Sequence, residues 1–316
     1  MPRSGCAVSL SGRSTDMANP VVSVVIPTYN HAQFLQAAIQ SVLDQTFTGW
    51  EAIVVNNYSE DNTEEIVAAF GDPRVRLVNF RNHGIIAASR NHGIGLARGQ
   101  YVAFLDSDDT WYPEKLARCV EMLEAGCDAV CHGEFWVKEG NPPKAVHYGP
   151  ERRTRYDSLL FDGNCLSTSA IVVKKSALDS VGGFDEDPRM VTAEDYELWL
   201  RLARNGCRFG IIDEMLGEYR LHHGNASKAV VRQLQAVLAV LDRHFGEMGS
   251  VGMMRRLMMR RRRAREYYVS ARNFQDNGDH ASAFRHFLKA MVTFPFMMKI
   301  YAAIVLYGPW RPGRRT

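Results

Sequence analysis

The stretch Tyr101-Val-Ala-Phe-Leu-Asp-Ser-Asp-Asp109 carries an uninterrupted apolar run straight into three carboxylates. A short apolar run with no polar face suits a strand buried on both sides, as in a parallel sheet covered by helices. The acids then stand at its carboxyl end, the edge at which open α/β sheets bind ligands. Asp106, Asp108 and Asp109 repel one another and raise each other's pKa unless something positive sits among them. The plain alternative is a turn, with Asp109 capping the helix that starts near Pro113.

Upstream, the same alternation repeats. Val21–Ile26 is a buried strand closed by Pro27, and the apolar positions Phe34, Leu35, Ala38, Ile39, Val42 and Leu43 give 31–45 a helix face. A second strand (52–55), a helix (63–70), a third strand (75–78) and a helix (85–97) lead into the 101–105 strand. Downstream, a helix to about Ala125, strands at 128–131, 169–173 and 208–212, and a helix at 192–205 continue the pattern. Alternation of these lengths predicts an α/β fold with a mostly parallel sheet flanked by helices. Residues 133–165, with Asn141-Pro-Pro143 and Gly149-Pro150, predict an irregular, mobile stretch. Residues 1–19 read as a flexible tail without an apolar core for a signal peptide, 20–227 as the α/β unit, and 228–316 as an all-helical extension.

The composition is that of an ordinary globular chain, and a net charge of +3 is too small to point to nucleic acid. The six cysteines form no C-x-x-C pair, so buried, reduced thiols in a cytosolic protein are expected rather than a zinc site.

Several clusters carry chemistry. Asp106 and Asp108 form a D-x-D of hard oxygen ligands suited to Mg²⁺ or Mn²⁺, ions that keep waters and take substrate phosphates on their open side. Pro27-Thr28-Tyr29-Asn30 and Asn56-Asn57-Tyr58-Ser59 follow the first two strands at the same edge and suit reading of a base or ribose, although each also serves as a turn. In Asn82–Gly93, Arg90 is a candidate for binding a diphosphate bidentately. Thr192-Ala-Glu-Asp195 heads a helix, and its T-x-x-D spacing makes a capping box. The same spacing also holds a carboxylate ready to accept a hydroxyl proton, kept ionised by the helix dipole.

Taken together, VSVVIPTYNHAQFLQAAIQSVLDQTF, VNNYSEDNT, ASRNHGIGLARGQYVAFLDSDDTWYPEKL, VGGFDE, AEDYELWLRL and YRLHHGNAS resemble a family 2 inverting glycosyltransferase of the GT-A fold, over 22–227. The resemblance implies a nucleotide-sugar donor and a glycan or lipid-linked acceptor in cell-surface polysaccharide synthesis. Asp106 and Asp108, with His222, would hold the divalent cation. Asp195 would be the base, and Pro27, Thr28, Tyr29, Asn30, Asn57, Ser59, Arg90, Asp106 and Ser107 would line the donor nucleotide site. Glu194, Trp199 and Asp109 would stand on the acceptor side or just behind the site. Asn57 stands where many members carry Asp, so a UDP-linked donor is expected while another base stays open. A non-catalytic nucleotide- or glycan-binding module is the alternative from another class.

The extension holds a basic run, Arg255 to Arg265, and an apolar but interrupted segment at 291–307. These read either as a peripheral contact with an anionic membrane, on the inner face of the cytoplasmic membrane, or as a helical lid packed on the α/β unit. A helical hairpin around Asn277-Gly-Asp279 is expected between them.

Overall fold

The structure is a computed structural model that describes residues 19–221 and 226–307. Its first half is the expected alternation: β1 (Val22–Thr28), α1 (Ala32–Leu43), β2 (Trp50–Asn56), α2 (Thr63–Ala69), β3 (Val75–Asn79), α3 (Ile86–Leu96) and β4 (Tyr101–Phe104). β3, β2, β1 and β4 lie side by side, all parallel, with Val25 opposite Ile53 on one flank and Phe104 on the other. β1, β2 and β4 are buried along their whole length, which is why their sequences show no polar face. Helix α3 comes so close to β1 that a Cβ on Gly93 would lie 2.4 Å from a Val25 methyl.

Beyond β4 the sheet becomes mixed. After β5 (Thr110–Trp111) and α4 (Lys115–Glu124) come β6 (Ala129–Val137) and β7 (Lys144–Val146). Then follow α5 (Tyr156–Asp162), β8 (Ile171–Lys174), α6 (Lys175–Val181), α7 (Glu194–Arg204) and β9 (Phe209–Arg220). The order is β3-β2-β1-β4-β8-β6-β9-β5, with β7 on β6; β8 is antiparallel to both β4 and β6, while β6 and β9 are parallel. The stretch expected to be irregular is therefore largely ordered: β6 runs on to Val137, β7 pairs with it, and α5 packs Leu159 and Leu160 into the core. Pro and Gly marked its turns correctly, but the intervening alternation was the stronger local signal.

Two apolar cores cover the two faces of the sheet. One joins α1 and α4 to Val22, Val24 and Ile26; the other joins α3, α5 and α7 to Val25, Ile53 and Phe104. α8 (Ala226–Glu247) contributes Val240 and Leu241 to the second core, so this helix is built into the α/β unit. α9 (Met253–Asp276), α10 (His280–Thr293) and α11 (Met298–Tyr307) enclose a third cluster around Phe274 and Phe287, with the expected hairpin between α9 and α10.

Most arginines of the basic run on α9 stay exposed but bond to neighbouring elements. Arg262 is buried, donates from Nε to Leu160 O at 2.9 Å and pairs with Glu266. Arg255 pairs with Asp157, Arg263 with Asp242, and Arg265 bonds Asp162 O.

Candidate active site

The three acids meet different fates at the end of β4. Asp109 is buried, with Oδ2 accepting from Ser169 Oγ at 2.6 Å and Oδ1 from Arg220 N at 2.9 Å. Burial, and then the charges of Asp106 and Asp108, push its pKa well above the usual carboxylate range. It is neither a helix cap nor exposed to a ribose: α4 begins at Lys115 with no side-chain cap, and Asp109 ties the loop after β4 to Ser169 just before β8 and to the end of β9. Asp106 and Asp108 remain partly exposed.

Asp106 and Asp108 are an oxygen-only donor pair whose charges add to the burial that raises Asp109, with Arg90 already countering Asp106 on one side. A small hard dication fits such a pair. Among the described residues no three His, Cys, Asp or Glu side chains are placed to hold a metal ion together, so an ion held here would complete its shell with waters and phosphate oxygens. His222 lies outside the described residues.

Arg90 is not a free diphosphate reader. It is 3% exposed, and its guanidinium bridges two acids from distant parts of the chain: Nη2 to Asp106 Oδ1 at 2.7 Å and Nη1 to Glu194 Oε1 at 2.7 Å. Burial alone would lower its pKa; the two carboxylates outweigh that and raise it. Glu194 Oε2 accepts in turn from Thr192 N at 2.7 Å, holding Thr192 at φ +87, a conformation unusual for a β-branched residue. The expected capping box is thus replaced: α7 is preceded by Ala193 with no side-chain cap, and Glu194 folds back on Thr192.

Asp195 follows on the first turn of α7. Its Oδ1 accepts from Tyr196 N at 2.6 Å, and Oδ2 lies 3.3 Å from Thr168 Oγ1 and 3.5 Å from Asn164 Nδ2. The helix dipole was expected to lower its pKa. Instead burial, then Glu194 beside it, push it up to about 6, against the lowering by Tyr196 N–H, Arg90 and Thr168. Desolvation outweighs a half-charge dipole when the carboxyl is enclosed. Asp195, Glu194, Arg90 and Asp106 all line one cavity of about 800 Å³.

The loops after β1 and β2 lock to each other. Asn30 (φ +52) donates from its backbone N to Ser59 Oγ at 2.9 Å, and its Oδ1 accepts from Glu60 N at 2.8 Å. Ser59 Oγ donates to Asn56 Oδ1, so Asn30 and Ser59 shape the loop rather than project from it. Tyr29 is half exposed just beyond Pro27 and the buried Thr28. Asn57 Oδ1 accepts from Asn82 N at 2.9 Å, which leaves one lone pair for a base. Ser107 is buried against His31 at 3.0 Å. Trp199 is fully buried and packs edge-on to Phe184, which removes it from contact with an acceptor.

Sequence reading missed the far wall of the cavity: Thr168 and Asn164 at Asp195, and Trp136, Tyr148, Arg153 and Tyr219. The alternation of 131–137 was the available signal, because it places Glu134 and Trp136 on one face of a strand.

A family model described as Glycosyl transferase family 2 matches residues 23–182. The chain is 31% identical over 212 residues to the putative teichuronic acid biosynthesis glycosyltransferase TuaG of Bacillus subtilis, covering 66% of this chain and 82% of that protein. It is 30% identical over 231 residues, 71% of this chain and 87% of the other, to WfgD of Escherichia coli, a UDP-Glc:alpha-D-GlcNAc-diphosphoundecaprenol beta-1,3-glucosyltransferase. In fold it resembles S. aureus TarS in complex with UDP-GlcNAc (TM-score 0.58, 17% identity, 86% and 91% of the two chains). It also resembles the mannosyltransferase PcManGT of Pyrobaculum calidifontis in complex with GDP-Man and Mn2+ (TM-score 0.59, 20% identity, 93% and 83%). A parallel sheet ending in an acid cluster, a carboxylate across the cavity from it, and these matches lead to one conclusion: the chain belongs to glycosyl transferase family 2 and has the GT-A fold.

Proposed function

We propose that this glycosyltransferase moves a sugar, with inversion, from a nucleotide-diphosphate sugar to a hydroxyl of a glycan or lipid-linked acceptor in cell-surface polysaccharide synthesis. The observation that carries this reading is the Asp195 carboxylate in the same cavity as Asp106, 3.3 Å from Thr168 Oγ1 and in no direct ion pair among the described residues. Asp195 accepts the proton of the acceptor hydroxyl as that oxygen attacks the anomeric carbon. Thr168 and Asn164 orient the carboxylate, and Arg90 with Glu194 sets the helix that carries it. Asp106 and Asp108 would hold Mg²⁺ or Mn²⁺, which when bound neutralises charge on the leaving diphosphate. Pro27, Thr28, Tyr29 and Asn57 would face the nucleotide. UDP is the expected nucleotide, supported by the UDP-Glc named for WfgD.

Thermal melts with a panel of nucleotides and Mn²⁺ test the donor side. A nucleoside diphosphate should raise Tm only with the metal present, and Asp108→Asn should abolish that increment. The same panel on Asn57→Asp should sharpen the preference for uridine. Absence of a metal-dependent shift with every nucleotide, together with no transfer from any sugar nucleotide, would sink the proposal.

Membrane contact is part of the same reading, but its carrier changes. Arg255, Arg262, Arg263 and Arg265 have internal partners, whereas Met253 (88% exposed), Phe296 (74%) and Met298 (75%) project beside Arg256 and Lys299. Among the described residues no helix is long and apolar enough to cross a membrane, so the contact would be interfacial. Full-length protein should sediment with vesicles containing anionic lipid, and Met253→Glu with Phe296→Glu should weaken this by about tenfold or more. Equal sedimentation of the variant would count against the contact.

A further inference from the structure

We propose that the cavity beside Asp195 is a built acceptor site for a sugar carrying a phosphate group, with Trp136 and Tyr219 holding the sugar ring and Arg153 the phosphate. This rests on the transferase reading of Asp195 given above.

The apolar wall is set by strand pairing. Trp136 on β6 stands opposite Tyr219 on β9, and their rings lie 5.6 Å apart at 38°. Two residues before Trp136, on the same face, Glu134 is buried and anchors the wall from behind. Tyr148 donates its hydroxyl hydrogen to Glu134 Oε2 at 2.8 Å and accepts from Trp136 Nε1 at 3.2 Å. The polar edges of Trp136 and Tyr148 are therefore satisfied by one another. What they offer a ligand is ring surface, which suits the C–H face of a pyranose, while Thr168, Asn164 and Asp195 offer hydrogen bonds to its hydroxyls.

The cation follows from an inventory of the lining. Arg90 is engaged by Asp106 and Glu194, and His147 pairs with Asp213. Arg153 is different: its Nη2 donates to the carbonyls of Asp162 (3.2 Å) and Gly163 (3.5 Å) at the end of α5. No carboxylate pairs with it among the described residues. Those carbonyls aim the guanidinium without neutralising it, and its other N–H groups remain for an anion. The same segment carries Asn164, whose amide reaches Asp195, so the anion site and the base belong to one short stretch of backbone. A neutral glycan or a protein hydroxyl would leave this charge unanswered; a glycosyl phosphate or diphosphate answers it while presenting a sugar hydroxyl to Asp195.

The test measures binding by tryptophan fluorescence or calorimetry on the full chain, with Mn²⁺ and the best-stabilising nucleotide present. The probes are a glucosyl diphosphate with a short soluble alkyl tail, the corresponding alkyl glucoside, and inorganic diphosphate alone. Wild-type protein should bind the glycosyl diphosphate about tenfold or more tightly than the glucoside. Arg153→Gln should erase that preference, Arg153→Lys should retain part of it, and Trp136→Phe should weaken both glycosides alike while leaving the melt intact. Nucleotide binding should change less than about twofold in each. The proposal is overturned if Arg153→Gln weakens the neutral glucoside equally or weakens the nucleotide instead. It is also overturned if inorganic diphosphate binds as well as the glycosyl diphosphate. Because no turnover is read, a failure of Asp195 as base appears separately, as unchanged transfer by Asp195→Asn.

Discussion

Asp195→Asn is expected to lower kcat by about 10²–10⁴-fold, the usual contribution of a general base, with nucleotide and metal binding unchanged. The substitution keeps the shape and the hydrogen bond from Tyr196 N, and removes the charge, the ability to take a proton and the acceptor that faces Thr168 and Asn164. Burial and Glu194 push the pKa of the wild-type carboxyl up to about 6, so as a base it would be ionised above that pH. Transfer should fall about tenfold per unit as pH drops below 6 and be level above it, until some other group titrates. Initial rates across pH 4.5–8 at saturating donor check both statements. Undiminished turnover by the Asn variant would remove Asp195 from the mechanism.

The second large effect belongs to Arg90. In Arg90→Met, Asp106 and the nearly buried Glu194 lose their shared counter-charge, and such losses cost about 3–5 kcal/mol. For a chain of this size that is a drop in Tm of roughly 10 °C. Activity should fall further than stability alone explains. Without Arg90, Glu194 is no longer held against Thr192 N, and the strained φ of +87 that sets the start of α7 can relax, shifting Asp195. Arg90→Lys keeps the charge but cannot span both acids, so it should recover part of the stability and little of the kcat. Circular-dichroism melts with parallel kinetics decide it: a variant melting within a degree of wild type would show that the bridge contributes little.

Asp195 and Arg90 also show where local pattern stops being informative. The strands β1 to β4 and the acids at the end of β4 were legible because burial on both faces writes itself into consecutive residues. Asp195 was legible as a carboxylate at a helix start, but not the sign of its pKa shift, since desolvation depends on what the rest of the chain places over it. Arg90 looked like a phosphate reader on a helix; its partners are 16 and 104 residues away, and no spacing rule connects them. The arginines of α9 looked like one basic face, yet most reach different elements once the helix docks.

By itself, then, the sequence determined the parallel half of the sheet, the acid cluster at its edge and the family, because these rest on short-range periodicity and on motifs with fixed local spacing. Tertiary structure decided the rest. It closed the supposedly irregular 133–165 stretch into the wall of the cavity, joined β4 to α7 through Arg90, left Arg153 without a carboxylate partner among the described residues, and tied most of the basic run to neighbouring elements. Each of these depends on which charges and rings are brought within a few ångströms of one another, and on the water removed when they meet. That is a property of the packed chain and not of any one segment of it.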